Sequence, residues 1–206
     1  MTKIITMLSF FICSLITAQT NFEQGMGKAL GLWGDGKTDE ASAMFERIAS
    51  AEKNSWLPNY YIALINTTSA FQTQDKVKIV ALLTKAQSAL DVETVKNPLN
   101  AELIVMQAMI HTAYLASDPM TYGMTLPAKV NELYSKAAAL APQNPRVVFC
   151  RAEFEIGGAK WTGADVKALC KEIEGSMDLF AKFKPETPFH PNWGLERAQE
   201  AMKNCK

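Results

Sequence analysis

The stretch VNELYSKAAALAPQNPR, residues 130–146, constrains the fold of this chain more than any other. Val130, Tyr134, Ala137 and Pro142 follow one another at steps of four, three and five. Steps of four and three hold side chains on one face of a helix, and proline cannot continue the helix. A small residue such as Ala137 lets a second helix come close, and an aromatic such as Tyr134 fills the gap between the two. Asn144-Pro145 then supplies the cap and first-turn proline with which a new helix begins. The same four-then-three step recurs at Ala41, Phe45, Ile48, again at Ile79, Leu83, Ala86, and again at Leu169, Ile173, Ser176. No segment alternates with period two for long enough to make a strand. An all-α fold follows.

The helices can be placed from their punctuation. A first covers Asn21–Trp33 and ends at Gly34-Asp35-Gly36, and Thr38 caps a second with Asp39 and Glu40 in its first turn. Pro58 opens a third that runs to Phe71, and a fourth covers Asp75–Leu90. Asn97-Pro98 starts a fifth, Leu99–Leu115, apolar on most sides and therefore covered by neighbours. Pro127 begins the sixth, Asn144-Pro145 the seventh, Thr162 the eighth, and Pro191-Asn192 a short last one. About nine helices are expected, with an eleven-residue loop, Ala116–Leu126, between the fifth and sixth.

Helices of this length joined by short connections form antiparallel pairs. A small residue, an aromatic four later, a small residue three later and a closing proline are similar to the second helix of the tetratricopeptide repeat. The resemblance implies antiparallel helix pairs stacked as a short right-handed superhelix. The expected pairs are 21–54, 57–91, 98–141 and 144–184, with a terminal helix 192–205, all in a single domain, 19–206. Only the sixth helix carries the full pattern, and the steps from Phe45 to Leu83, Tyr134 and Ile173 exceed the ideal repeat of about 34 residues.

The first residues set the destination. Lys3 precedes an uncharged apolar run from Ile4 to Ile16 and then Thr17-Ala18-Gln19, the pattern of a secretory signal peptide cleaved near Ala18. The run is shorter than the roughly 20 apolar residues a spanning helix needs. Once it is removed, no transmembrane segment is expected, and the product is periplasmic or secreted. The 21 basic and 21 acidic residues cancel. No basic stripe alternates with aromatics, which argues against a nucleic-acid partner.

Four segments, SDPMTYG (117–123), NPRVVF (144–149), IGGAK (156–160) and FKPETPFHPNWG (183–194), carry a more specific likeness. In order and spacing they resemble a family of exported tetratricopeptide-like proteins of Bacteroidetes. Its members have an N-P-M…Y-G loop, an N-P-R helix start, an F-G-G-G-K turn and an H-P-x-W-G closing segment. Here Asp118 replaces the loop asparagine and Ala159 the third glycine. The family has no established biochemical activity, so the resemblance implies architecture and export.

Residues that could carry chemistry are few. His111 and His190 are the only histidines, and neither has a carboxylate or cysteine at i+3 or i+4 to form a metal pair. GGAK lacks the strand and the Gly-Lys-Ser/Thr order of a phosphate cradle and reads as a helix-to-helix turn. Met120 and Met124 are the methionine pair outside helical core spacing. No nucleophile, base and orienter assemble, so no enzyme, metal or cofactor is expected. Of the cysteines beyond the apolar leader, Cys150 and Cys170 lie near the starts of antiparallel helices, at opposite ends of that pair. The terminal helix running back along the eighth brings Cys205 beside Cys170, so the expected disulfide is Cys170–Cys205.

These features predict a non-catalytic exported scaffold that binds a protein or peptide of unknown identity in the cell envelope. Its candidate contacts are polar residues on the first helix of each pair: Gln24, Asn66, Gln107, His111 and Arg151. The alternative is a small-molecule binder with a pocket between helix pairs, using Trp161, Phe189 and Trp193.

Overall fold

A computed structural model describes residues 21–205; the expected signal sequence and its cleavage site near Ala18 lie outside the described residues. The described residues form ten helices and no strand: α1 (21–34), α2 (Thr38–Ala51), α3 (Leu57–Phe71), α4 (Lys76–Lys96), α5 (Ala101–Ser117), α6 (Pro119–Tyr122), α7 (Leu126–Leu140), α8 (Pro145–Thr162), α9 (Val166–Lys182) and α10 (Leu195–Lys203). The nine expected helices are joined by the four-residue α6, which folds within the 116–126 loop. The chain forms two compact units, Met1–Ile62 and Ala63–Lys206.

In the first unit, Met26 and Ala29 of α1 and Ala41, Phe45 and Ile48 of α2 are buried. Phe45 stacks on Tyr61 with ring centroids 5.1 Å apart, and Trp33 meets the same tyrosine edge-on at 6.4 Å. In the second unit, α5 is the central element, packed against α4, α7 and α8. That explains a helix apolar on most sides: Leu103, Ile104, Val105, Met106, Ala108, Met109 and Ile110 are all buried. Helix α9 packs on α8, and α10 on α9. Tyr134 of α7 is buried and lies 6.0 Å from the ring of Phe154 on α8, a wedge between the two helices.

Side-chain caps set the helix starts. Asp75, Asn100, Asn144 and Asp165 each accept hydrogen bonds from two backbone amides of the first turn of α4, α5, α8 and α9. The cap of α5 is thus Asn100, and Asn97 instead closes α4, which runs on to Lys96. GGAK is not a turn: α8 passes through Gly157 and Gly158 and ends at Gly163, whose φ of 72° is the left-handed conformation that stops helices. Thr162 is therefore the last residue of α8, and Asp165 opens α9.

A buried ion pair joins the starts of α5 and α8. Arg146 Nε donates to both Glu102 oxygens, at 3.0 and 2.8 Å, and Nη2 donates to Oε1 at 2.6 Å. Both side chains are essentially inaccessible. Nη1 reaches the carbonyl of Trp193 at 3.4 Å, and the guanidinium lies 4.4 Å over the Phe183 ring. The closing segment 183–194 is thereby tied to the head of α8. It passes so near α9 that a Cβ on Gly194, at φ 116°, would sit 2.6 Å from Phe180. A Cys170–Cys205 disulfide and a two-pronged Arg197–Glu153 ion pair hold α10.

Candidate functional site

The exposed faces of the second unit are mostly ordinary solvated helix surface, and one stripe of α5 differs. Gln107, His111 and Tyr114, at i, i+4 and i+7 of α5, are half-buried and share one face of the helix. Gln107 and Gln87 of α4 exchange a reciprocal pair of amide hydrogen bonds, both 2.8 Å, and Gln87 Nε2 also donates to Asp91 at 2.6 Å. The second amide hydrogen of Gln107 points to His111 Nε2, 3.3 Å away. An amide nitrogen is donor only, so Nε2 must accept and the ring proton sits on Nδ1. Burial lowers the His111 pKa, and the charge of Lys129 on α7 lowers it further, so the imidazole is neutral at pH 7.

The stripe continues into α6. Tyr114 packs on Tyr122 with centroids 5.4 Å apart, and its other side rests on the cluster of Ala70, Ile79, Leu83 and Ala113. Asp118 caps α6 by accepting from the backbone amide and hydroxyl of Thr121, and these bonds lower its pKa. The result is a short capped element that carries Met120, with Met124 in the turn just after it, at 94% and 93% exposure, higher than the other exposed large apolar side chains of the described residues. An apolar tip, a tyrosine pair, a neutral imidazole protonated on Nδ1 and the Lys129 ammonium therefore follow one another along α5, α6 and α7.

The remaining expected contacts fall elsewhere. Gln24 is exposed on α1 in the first unit. Asn66 is buried within α3. Arg151 pairs with Glu172 at 2.5 Å and with Glu155 at 3.8 Å. Trp161, Phe189 and Trp193 do not line one pocket: Trp193 sits at the head of α8 against Arg146, and Trp161 is at its tail, stacked under Lys160 at 3.9 Å. At about 1.5 Å per residue, most of an 18-residue helix separates them. His190 lies against Phe183 and 4.0 Å from Glu186, with its pKa lowered chiefly by burial. In the first unit, Lys28 and Leu32 of α1 and Glu40, Met44, Glu46 and Arg47 of α2 line a shallow cleft of mixed charge. Among the described residues, no group of three or more acidic, histidine or cysteine side chains is placed to hold a metal ion. No described helix is long and apolar enough to cross a membrane.

The fold is similar to that of the HusA haemophore from Porphyromonas gingivalis, with a TM-score of 0.76, 24% sequence identity, and coverage of 89% of this chain and 92% of that one. No protein-family model and no curated protein matches the sequence.

Proposed function

We propose that this chain is an exported, non-catalytic carrier that takes a flat, largely apolar small molecule of the haem type on the α5–α6 surface. The observation that carries the proposal is the solvent-facing Met120/Met124 tip beside the Tyr114–Tyr122 pair, in a fold like that of a haemophore. Methionine adapts to an apolar surface, and tyrosine presents a flat face. The Nδ1 proton of His111 and the ammonium of Lys129 suit the acid groups of such a molecule. A carrier needs no nucleophile, and the His111 ring is engaged by an amide instead of by a hydroxyl or thiol.

Titration of the purified protein with haemin, followed in the Soret band, tests this. The wild type should shift the band saturably. Met120→Ser with Met124→Ser should weaken binding by roughly ten- to a hundredfold, because a methionine contributes about 1.5–3 kcal/mol at full burial and two that a flat ligand covers about half contribute about that much together. An unshifted band with the wild type, or equal affinity in the double variant, would sink the proposal. A peptide or protein partner is the alternative occupant, reached through the accessible members of the expected set in the second unit, Gln107, His111 and Arg151. It is supported if alanine variants at those positions abolish partner capture while the methionine variant retains it.

A further inference from the structure

Seven large apolar side chains are exposed at three turns of the second unit, and the topology puts these turns on one edge. The α3–α4 turn presents Phe71, Val77 and Val80. The α5–α7 turn presents Met120 and Met124, and the α8–α9 turn presents Trp161, 72% exposed, with Val166. The first two turns adjoin, since Ala70 and Ile79 pack with Tyr114 and Lys76 acts on Asp118. The third is aligned with them by the Glu102–Arg146 pair. It fixes the starts of α5 and α8 together, and these helices, 17 and 18 residues long and packed on each other, reach the same level at their ends.

Charge on this edge is net positive. Segments 72–78, 118–129 and 160–168 contain the lysines 76, 78, 129, 160 and 167, all exposed, and the acids Asp75, Asp118 and Asp165. Each of the three carboxylates is taken up in capping a helix: Asp75 accepts from the Val77 and Lys78 amides, Asp118 from Thr121, and Asp165 from the Lys167 and Ala168 amides. The helix N-termini offset these carboxylates in part, and five lysines against three aspartates leave a net charge of +2 around the apolar tips. Tryptophan and lysine together suit the boundary of a bilayer, where the indole sits at headgroup level and the lysine stem lies along apolar surface with its charge outward.

We propose that this edge docks reversibly and peripherally on a lipid surface bearing anionic headgroups, with Trp161 and Val77 entering the interface and Lys76, Lys160 and Lys167 meeting the phosphates. Three small apolar tips do not anchor a protein permanently. The lysines make the contact depend on lipid charge, each contributing about fivefold in partitioning at low salt.

Co-sedimentation with phosphatidylcholine vesicles, with and without phosphatidylglycerol, is the test. The purified protein should pellet with the anionic vesicles, less so as salt rises, and stay in solution with the neutral ones. Lys76→Glu, Lys160→Glu and Lys167→Glu together should cut partitioning by roughly a hundredfold. Lys136→Glu with Lys182→Glu, away from the edge, should leave it nearly unchanged. Trp161→Phe should remove the vesicle-induced blue shift of tryptophan emission, with helix content by circular dichroism retained in every variant. Three outcomes would overturn the proposal: pelleting equally with neutral vesicles, indifference to the edge charge reversals, or a dimer in sedimentation velocity that shields Trp161 without lipid. Haemin binding by the charge-reversed protein is read separately, so failure here leaves the carrier function standing or falling on its own titration.

Discussion

Replacing Glu102 by alanine should be among the most damaging single changes in the second unit. Glu102 and Arg146 are 3% and 0% exposed, so the substitution leaves a guanidinium in the interior, beside the Trp193 carbonyl and the Phe183 ring, without its carboxylate. It also removes the acceptor of Asn144 Nδ2, 2.6 Å from Glu102, and so loosens the side chain that caps α8. Breaking one side of a buried pair costs about 3–5 kcal/mol, a large part of the roughly 5–15 kcal/mol that holds a typical domain folded. For a chain of this size that corresponds to a fall in Tm of about 6–20 °C. Thermal melts by circular dichroism measure the loss. Hydrogen exchange should locate it at the head of α8 and the 183–194 segment. The charge-free pair Glu102→Leu with Arg146→Met should regain most of the stability, since an apolar pair of similar volume avoids the desolvation of both ions. A Glu102→Ala loss below about 1 kcal/mol, the size of an exposed pair, would refute the interior placement of this contact.

Opening the Cys170–Cys205 bridge with a phosphine, or by Cys170→Ser with Cys205→Ser, should lower stability by about 4 kcal/mol for a closed loop of 35 residues. Exchange protection should fall first in α10, which keeps its Arg197–Glu153 pair. Under the same native conditions Cys150 should resist alkylation, because burial pushes its thiol up to about 12; rapid native-state labelling would contradict that. His111 and His190 both have folded pKa values lowered from 6.5 by burial, so the unfolded chain binds more protons below that pH. Their contribution to stability is therefore complete above about pH 6.5 and is lost as the pH falls through the folded values. Denaturant midpoints measured across that window should decline on acidification, and less so in His111→Gln.

Most of the helix packing was legible because one physical rule controls it. The triplets at steps of four and three, Ala41/Phe45/Ile48, Ile79/Leu83/Ala86, Val130/Tyr134/Ala137 and Leu169/Ile173/Ser176, are buried throughout. A helix that must lay one face on a neighbour has little other choice. Helix ends were less legible, since the cap that wins depends on which nearby polar side chain reaches two amides. Asn100 prevailed over Asn97, and Asp165 over Thr162. Two glycines at 157 and 158 looked like a stop. A glycine inside a helix costs only about 1 kcal/mol, however, and the residue in the left-handed conformation is Gly163.

The site was half legible, and the missing half shows what kind of information a sequence withholds. The i+4 spacing of Gln107 and His111 places them together, but Gln87, the partner that orients the Gln107 amide, is 20 residues away from it on another helix. The pairing of Glu102 with Arg146 spans 44 residues and left a subtler trace. A carboxylate in the first turn of the nearly uninterrupted apolar run AELIVMQAMI suits the helix dipole, so it reads as an ordinary surface charge. But α5 is covered on most sides, and a charge on a covered helix must be met by an opposite charge that is also covered. Arg146, set behind a capping asparagine and a proline, meets that condition, and the closing segment ending in Trp193-Gly194 shields it. The segments NPRVVF and FKPETPFHPNWG thus act together: one supplies the buried arginine and the other covers it. Residues that mark the architecture need not mark the ligand. For this chain the ligand surface is better sought at Met120 and Met124, in and just after the segment SDPMTYG, whose side chains face water.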